Sequence, residues 1–146
     1  MPESTSLSWL IWALLSAVFA AATAILAKLG VEKIDSNLAT AIRTSVVVVF
    51  TWLIVLMVKT DLPVWSSVSK RSWMFLVLSG LGTGLSWLCY FHALKLGPAS
   101  RVAPIDKLSV ALVIVLSALV LGERLTWGKA VGGLLIVAGA IIIAVD

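Results

Sequence analysis

Three charged residues stand where a hydrocarbon surrounding disfavours them: Arg43, Asp106 and Lys107. Arg43 lies about five residues inside an apolar run, roughly 7–8 Å of helix rise, and Asp106 and Lys107 lie at a similar depth inside another. A charge placed there is costly unless it is paired or wetted, so it marks a pathway or a binding site by default. The set is net cationic, and a cationic cavity favours an anionic or zwitterionic solute. A structural reading competes with this one: Asp106 ties Arg43, while Lys28, Lys95 and Lys107 snorkel to the interface. Trp87 sits half-way along a third apolar run, too deep for an interfacial belt, and Tyr90 and Phe91 follow it at i+3 and i+4 on the same helical face. That face is either an aromatic cavity wall leading up to His92 or ordinary helix packing.

The elements that must position these residues follow from the apolar runs. Of 146 residues, 61% are hydrophobic and only 12% charged, against about 45–50% and about 25% in soluble domains. A water-soluble globule is therefore excluded. At about 20 residues per span the chain has room for five transmembrane helices, expected at about 7–28, 38–58, 73–94, 102–121 and 127–145. The fold class is thus an all-α integral membrane protein, one five-helix module. A β-barrel is excluded because no segment alternates. The second span is rich in Val and Thr, yet a lipid-facing segment is helical whatever its propensity, since every backbone group needs an internal partner. Spans two and four start on one side and spans one and three end there, which gives Lys28, Arg43, His92, Lys95, Asp106 and Lys107 a common membrane level.

Other function classes fall away on composition. The single cysteine, Cys89, rules out a disulfide framework and a zinc or iron–sulfur cluster. A net charge of +4 is spread singly at the ends of apolar runs, with no basic stripe for nucleic acid. No metal cluster, cofactor loop or nucleophile–base pair is visible, so no enzyme and no cofactor is expected. The start, Met1–Ser6, carries Glu3 and no Lys or Arg, unlike a cleavable signal peptide, so span one is read as retained. Span one contains no Asp or Glu, which a cation/proton exchanger of this size would want. Asp106 alone could serve, and Lys107 beside it opposes that role.

Orientation is nearly undecided. Five basic residues fall on the N-terminal side (Lys59, Lys70, Arg71, Arg124, Lys129) and six on the other (Lys28, Lys33, Arg43, Lys95, Arg101, Lys107). The cytoplasmic preference of Lys and Arg sets orientation, and here it leaves two readings open, N-terminus inside or copies inserted both ways. Trp9, Trp12, Trp65, Trp73 and Trp127 form an interfacial belt on the N-terminal side, with Trp65 on the headgroup layer. Small residues mark close contacts: Gly80 and Gly84 in span three, and Gly128, Gly132, Gly133 and Gly139 in span five, suit helix packing or a subunit contact.

Three stretches carry a family resemblance: Ser36–Thr44 (SNLATAIRT), Tyr90–Pro104 (YFHALKLGPASRVAP), and Leu121–Thr126 (LGERLT) before the Gly-rich Gly128–Gly139. Together they make the whole chain resemble the EamA module of the drug/metabolite transporter superfamily, in its half-size five-helix branch. Most members carry two inverted modules. The resemblance implies a secondary transporter working by alternating access, here as a homodimer, antiparallel if topology is dual, in the inner membrane. It carries over Arg43, Pro104 as a helix break exposing backbone carbonyls to a cavity, and Glu123 as a structural residue. The substrate or gate set is then Arg43, Trp87, Tyr90, His92, Asp106 and Lys107, the solute a small polar metabolite. A non-transporting membrane scaffold and a lipid-linked flippase are the alternatives.

Overall fold

The computed structural model describes residues 5–58 and 68–146. The starting residues with Glu3, and the loop holding Lys59, Pro63 and Trp65, lie outside the described residues, and so does the expected headgroup position of Trp65. The described residues form six helices in order: α1 (Thr5–Val31), α2 (Ser36–Met57), α3 (Lys70–Leu96), α4 (Ala99–Asp106), α5 (Leu108–Val120) and α6 (Trp127–Val145). Among the described residues there is no strand. Five stretches of the described residues are long and apolar enough to cross a membrane, with α4 and α5 forming one between them.

The helix ends shift from the apolar runs for identifiable reasons. α2 starts two residues before the expected Leu38 because Asp35 caps it, its Oδ1 accepting from the Asn37 and Leu38 amides at 2.9 and 3.1 Å. α3 is 27 residues long, about 40 Å, and carries Lys70, Arg71 and Lys95 on the turns that overhang its apolar centre. Polar residues at a span end obscure a helix terminus when only hydropathy is read.

The chain forms two compact units, Met1–Leu29 with Leu96–Asp146, and Gly30–Lys95. In the first unit α6 packs on α4 and α5. Gly133 makes the close approach: a Cβ there would stand 3.3 Å from Ile114 Cδ1. α5 ends in a glycine cap, with Gly122 at φ +69° and the Glu123 amide donating back to the Ser117 carbonyl at 3.2 Å. A side chain at that φ is strained, which is the physical content of the glycine in LGERLT. The same motif starts the next helix, since Thr126 Oγ1 accepts from the Lys129 amide at 3.3 Å, and Lys129 Nζ pairs with Glu123 at 3.2 Å. Glu123 thus ties the turn to the first turn of α6.

Pro104 lies inside α4 and not at the helix break. It offers no N–H to the Ser100 carbonyl, but the interruption comes three residues later, at Lys107. There the Lys107 amide is shared between the Ala103 and Pro104 carbonyls at 3.3 and 3.1 Å, and Val110 bonds back three residues to Lys107 at 3.0 Å. The Asp106 carbonyl accepts instead from the Ser109 hydroxyl at 2.8 Å. The closest backbone bonds at Lys107 thus span three residues in place of four, and the helix divides at that point.

In the second unit, α2 and α3 are joined near Ser36, Arg43, Trp87 and Phe91. Val31 and Leu94 are fully buried, and Phe91, Ser36, Ala39 and Thr40 are buried beside them in the same unit. The remaining surface is overwhelmingly apolar and exposed: α5 has no buried residue at all, and Leu112, Leu119 and Val120 stand open. In water such a surface would be untenable; against lipid chains it is the expected exterior.

Candidate functional site

Arg43 is placed by α2 and met by α3. Its guanidinium carbon lies 4.2 Å from the centroid of the Trp87 ring and 5.5 Å from that of Phe91. The spacing explains this: Trp87 and Phe91 are four apart on α3, so both present to one neighbour. Tyr90 packs edge-on against Phe91, with ring centroids 6.4 Å apart at 67°. A cation over an aromatic face gains about 0.5–1 kcal/mol when exposed and about 2 kcal/mol or more when desolvated. That attraction makes an arginine tolerable within a membrane-spanning helix while leaving its charge intact.

The other residues expected at this level have local partners. Asp106 pairs with its neighbour Lys107, Oδ2 to Nζ, at 3.2 Å. Lys95 donates to the Ile34 carbonyl at 2.8 Å, and Lys28 donates to the Gly97 carbonyl at 2.9 Å. Each lysine therefore binds the backbone of a connection, fastening a helix end to a loop. His92 is exposed, with Nδ1 3.4 Å from the hydroxyl of buried Ser36. Arg43, Trp87, Phe91 and Tyr90 thus form one aromatic–cation group in the Gly30–Lys95 unit, and Asp106 with Lys107 forms a separate pair in the other.

A second feature of the same unit was not anticipated. A groove of about 480 Å³ is lined by Asn37, Thr40, Ala41, Thr44, Ser45, Val48 and Val49 of α2 and by Gly84 and Leu88 of α3. Its volume is within the range of small-molecule sites. The lining residues recur at three- and four-residue intervals along α2, the spacing of one helical face. Thr40, Thr44 and Ser45 donate their hydroxyls to the Ser36, Thr40 and Ala41 carbonyls at 2.8, 2.7 and 3.0 Å. Gly84 keeps the groove open, because nothing lies within 4 Å of where its Cβ would stand. The same openness holds at Gly80, Gly132 and Gly139, while Gly128 touches only its own Thr126 hydroxyl at 4.0 Å. Of the glycines in the two stripes, Gly133 is the one in close contact with another helix.

Five apolar spans with an arginine held on an aromatic face inside one of them define an integral membrane protein with a polar site in its helices. The chain belongs to the EamA-like transporter family, whose pattern matches residues 7–145. It is also 50% identical over 141 residues to a protein of Sinorhizobium sp. described as an uncharacterized transporter in the cobO 3' region, covering 96% of this chain and 99% of that one. No solved structure matches it. The protein is therefore a membrane transporter built as a five-helix, half-size module.

Proposed function

We propose that the protein carries small polar metabolites, amino-acid-like or anionic, across the inner membrane by alternating access. The observation that carries this reading is Arg43 on the Trp87 face within α2, at 4.2 Å: a retained positive charge at membrane depth suits a solute bearing a negative group. Asp106 and Lys107 serve as a gate, their mutual ion pair being the contact a moving helix would exchange. Tyr90 and His92 stand along the solute path. The Lys107 break between α4 and α5 supports a moving element, since transporters commonly bind at interrupted helices.

The working unit in this proposal is a homodimer of half-size modules, antiparallel in the bilayer. The open space over Gly80, Gly84, Gly132 and Gly139 leaves room for close helix approach by a second copy. The near balance of basic residues between the two sides supports insertion in both directions.

The function is tested by counterflow in proteoliposomes containing the purified chain. Labelled amino acids and organic anions are expected to exchange with unlabelled solute inside, and no exchange of any such solute over protein-free vesicles would remove the proposal. Dimer orientation is tested separately with C-terminal reporters active on only one side of the membrane. Comparable activity from both sides is expected. A signal from one side alone would leave a parallel arrangement or a monomer.

A further inference from the structure

The guanidinium of Arg43 has no acidic partner among the described residues; the ion pairs found there join Lys107 to Asp106 and Lys129 to Glu123. Its close neighbours are the rings of Trp87 and Phe91 at 4.2 and 5.5 Å. An aromatic face stabilises a cation through its quadrupole without neutralising it, and a contact through the ring face takes up none of the five N–H donors of the fork. The side chain is half-buried and remains accessible. Lys95, the basic residue at the end of α3 in this unit, is engaged by the Ile34 carbonyl at 2.8 Å.

We propose that Arg43, backed by Trp87, is a clamp for a singly charged planar carboxylate, held edge-on by two parallel N–H···O bonds. The inference rests on the solute-binding role given to Arg43 above and specifies the chemistry of its ligand. Charge selects the carboxylate. One guanidinium balances one negative charge, whereas a phosphate monoester carries about −1.5 to −2 at neutral pH and would bring an unbalanced charge to the depth of α2, where it is strongly penalised. Geometry selects it as well. With Trp87 over the guanidinium, approach is favoured in the plane of the fork, where a flat carboxylate accepts two bonds at once. Lysine keeps the charge but not the fork, so the two side chains differ at this site.

The test is equilibrium binding to the purified full chain in lipid nanodiscs, with labelled propionate, benzoate, inorganic phosphate and the uncharged benzamide as probes. The monocarboxylates are expected to bind saturably, with phosphate and benzamide weaker by about tenfold or more, the difference that charge-assisted hydrogen bonds supply. Arg43→Lys is expected to weaken the monocarboxylates about tenfold or more, and Trp87→Phe, which keeps a ring face, to retain binding. Phosphate binding as tight as carboxylate overturns the clamp, as does undiminished binding by Arg43→Lys or the absence of saturable carboxylate binding by the wild type. If Arg43→Lys does not fold, the wild-type ranking of the four probes decides alone. Counterflow with the same preparation separates this inference from the transport proposal. Carboxylate binding without exchange keeps the clamp and removes the solute cycle, while exchange of another solute without carboxylate binding does the reverse.

Discussion

Arg43→Ala is expected to lower solute exchange about a hundredfold while the protein still inserts and keeps its helix content. The expectation divides into two effects of opposite sign. Removing the guanidinium takes away charge-assisted hydrogen bonds to the solute, each contributing about 1.5–3 kcal/mol, and each 1.4 kcal/mol is about a factor of ten. The same change relieves α2 of an intramembrane charge, whose burden is about 2.5–3.5 kcal/mol on an insertion scale, though the Trp87 contact at 4.2 Å already offsets part of it. Folding is thus unharmed or slightly improved, and the loss is confined to transport. Exchange rates in proteoliposomes, normalised to protein inserted, provide the measurement. Unchanged exchange would take Arg43 out of the mechanism.

Leu94→Ala is expected to destabilise the Gly30–Lys95 unit by about 2 kcal/mol. Leu94 has no exposed surface, whereas Leu119 on α5 is 76% exposed. Burial alone overstates the difference, because in a bilayer the alternative surroundings of a leucine are also apolar and the water-transfer part of its contribution vanishes. What survives is the cavity and the lost dispersion contacts, which places the expected value at the lower end of the Leu→Ala range. Leu119→Ala, with lipid on its open side, is expected to stay within about 0.5 kcal/mol of wild type. Unfolding in mixed micelles gives both values. Equal losses at the two positions would mean that Leu94 is no better packed than a lipid-facing residue.

Much of the architecture was legible because hydropathy and length dominate in a membrane chain. Span five was expected at Trp127–Val145 and α6 occupies those residues. The other ends moved where polar side chains, invisible to a hydropathy reading, continue a helix: Asp35 capping α2, and Lys70 and Lys95 on the overhanging turns of α3. The division of span four was anticipated in kind but attributed to Pro104. Proline removes a donor at its own position, but α4 ends three residues later, where the Lys107 amide is shared between the Ala103 and Pro104 carbonyls and the Val110 amide bonds back to Lys107.

The site shows a similar boundary between pattern and geometry. That Trp87, Tyr90 and Phe91 share a face follows from helical spacing, but that Arg43 of α2 would rest on the first and last of these follows only from the packing of α2 on α3. By sequence depth alone the charges form one cluster. Their partners sort them differently: Lys28 and Lys95 hold loop carbonyls, and Lys107 holds Asp106. The groove beside Thr40 and Thr44 leaves little mark in the sequence, because hydroxyl residues in a membrane helix are common and satisfy themselves locally.

That local satisfaction gives α2 two kinds of polar group with opposite hydrogen-bonding character. The hydroxyl hydrogens of Thr40, Thr44 and Ser45 point into their own helix, so toward the groove these three groups can only receive hydrogens. Arginine can only give them. A water molecule beside the hydroxyls is turned with its hydrogens toward α2, and one beside Arg43 is turned with its oxygen toward it. A single helix thereby orders its surroundings in two senses, sorting what it meets by hydrogen-bond direction as well as by charge.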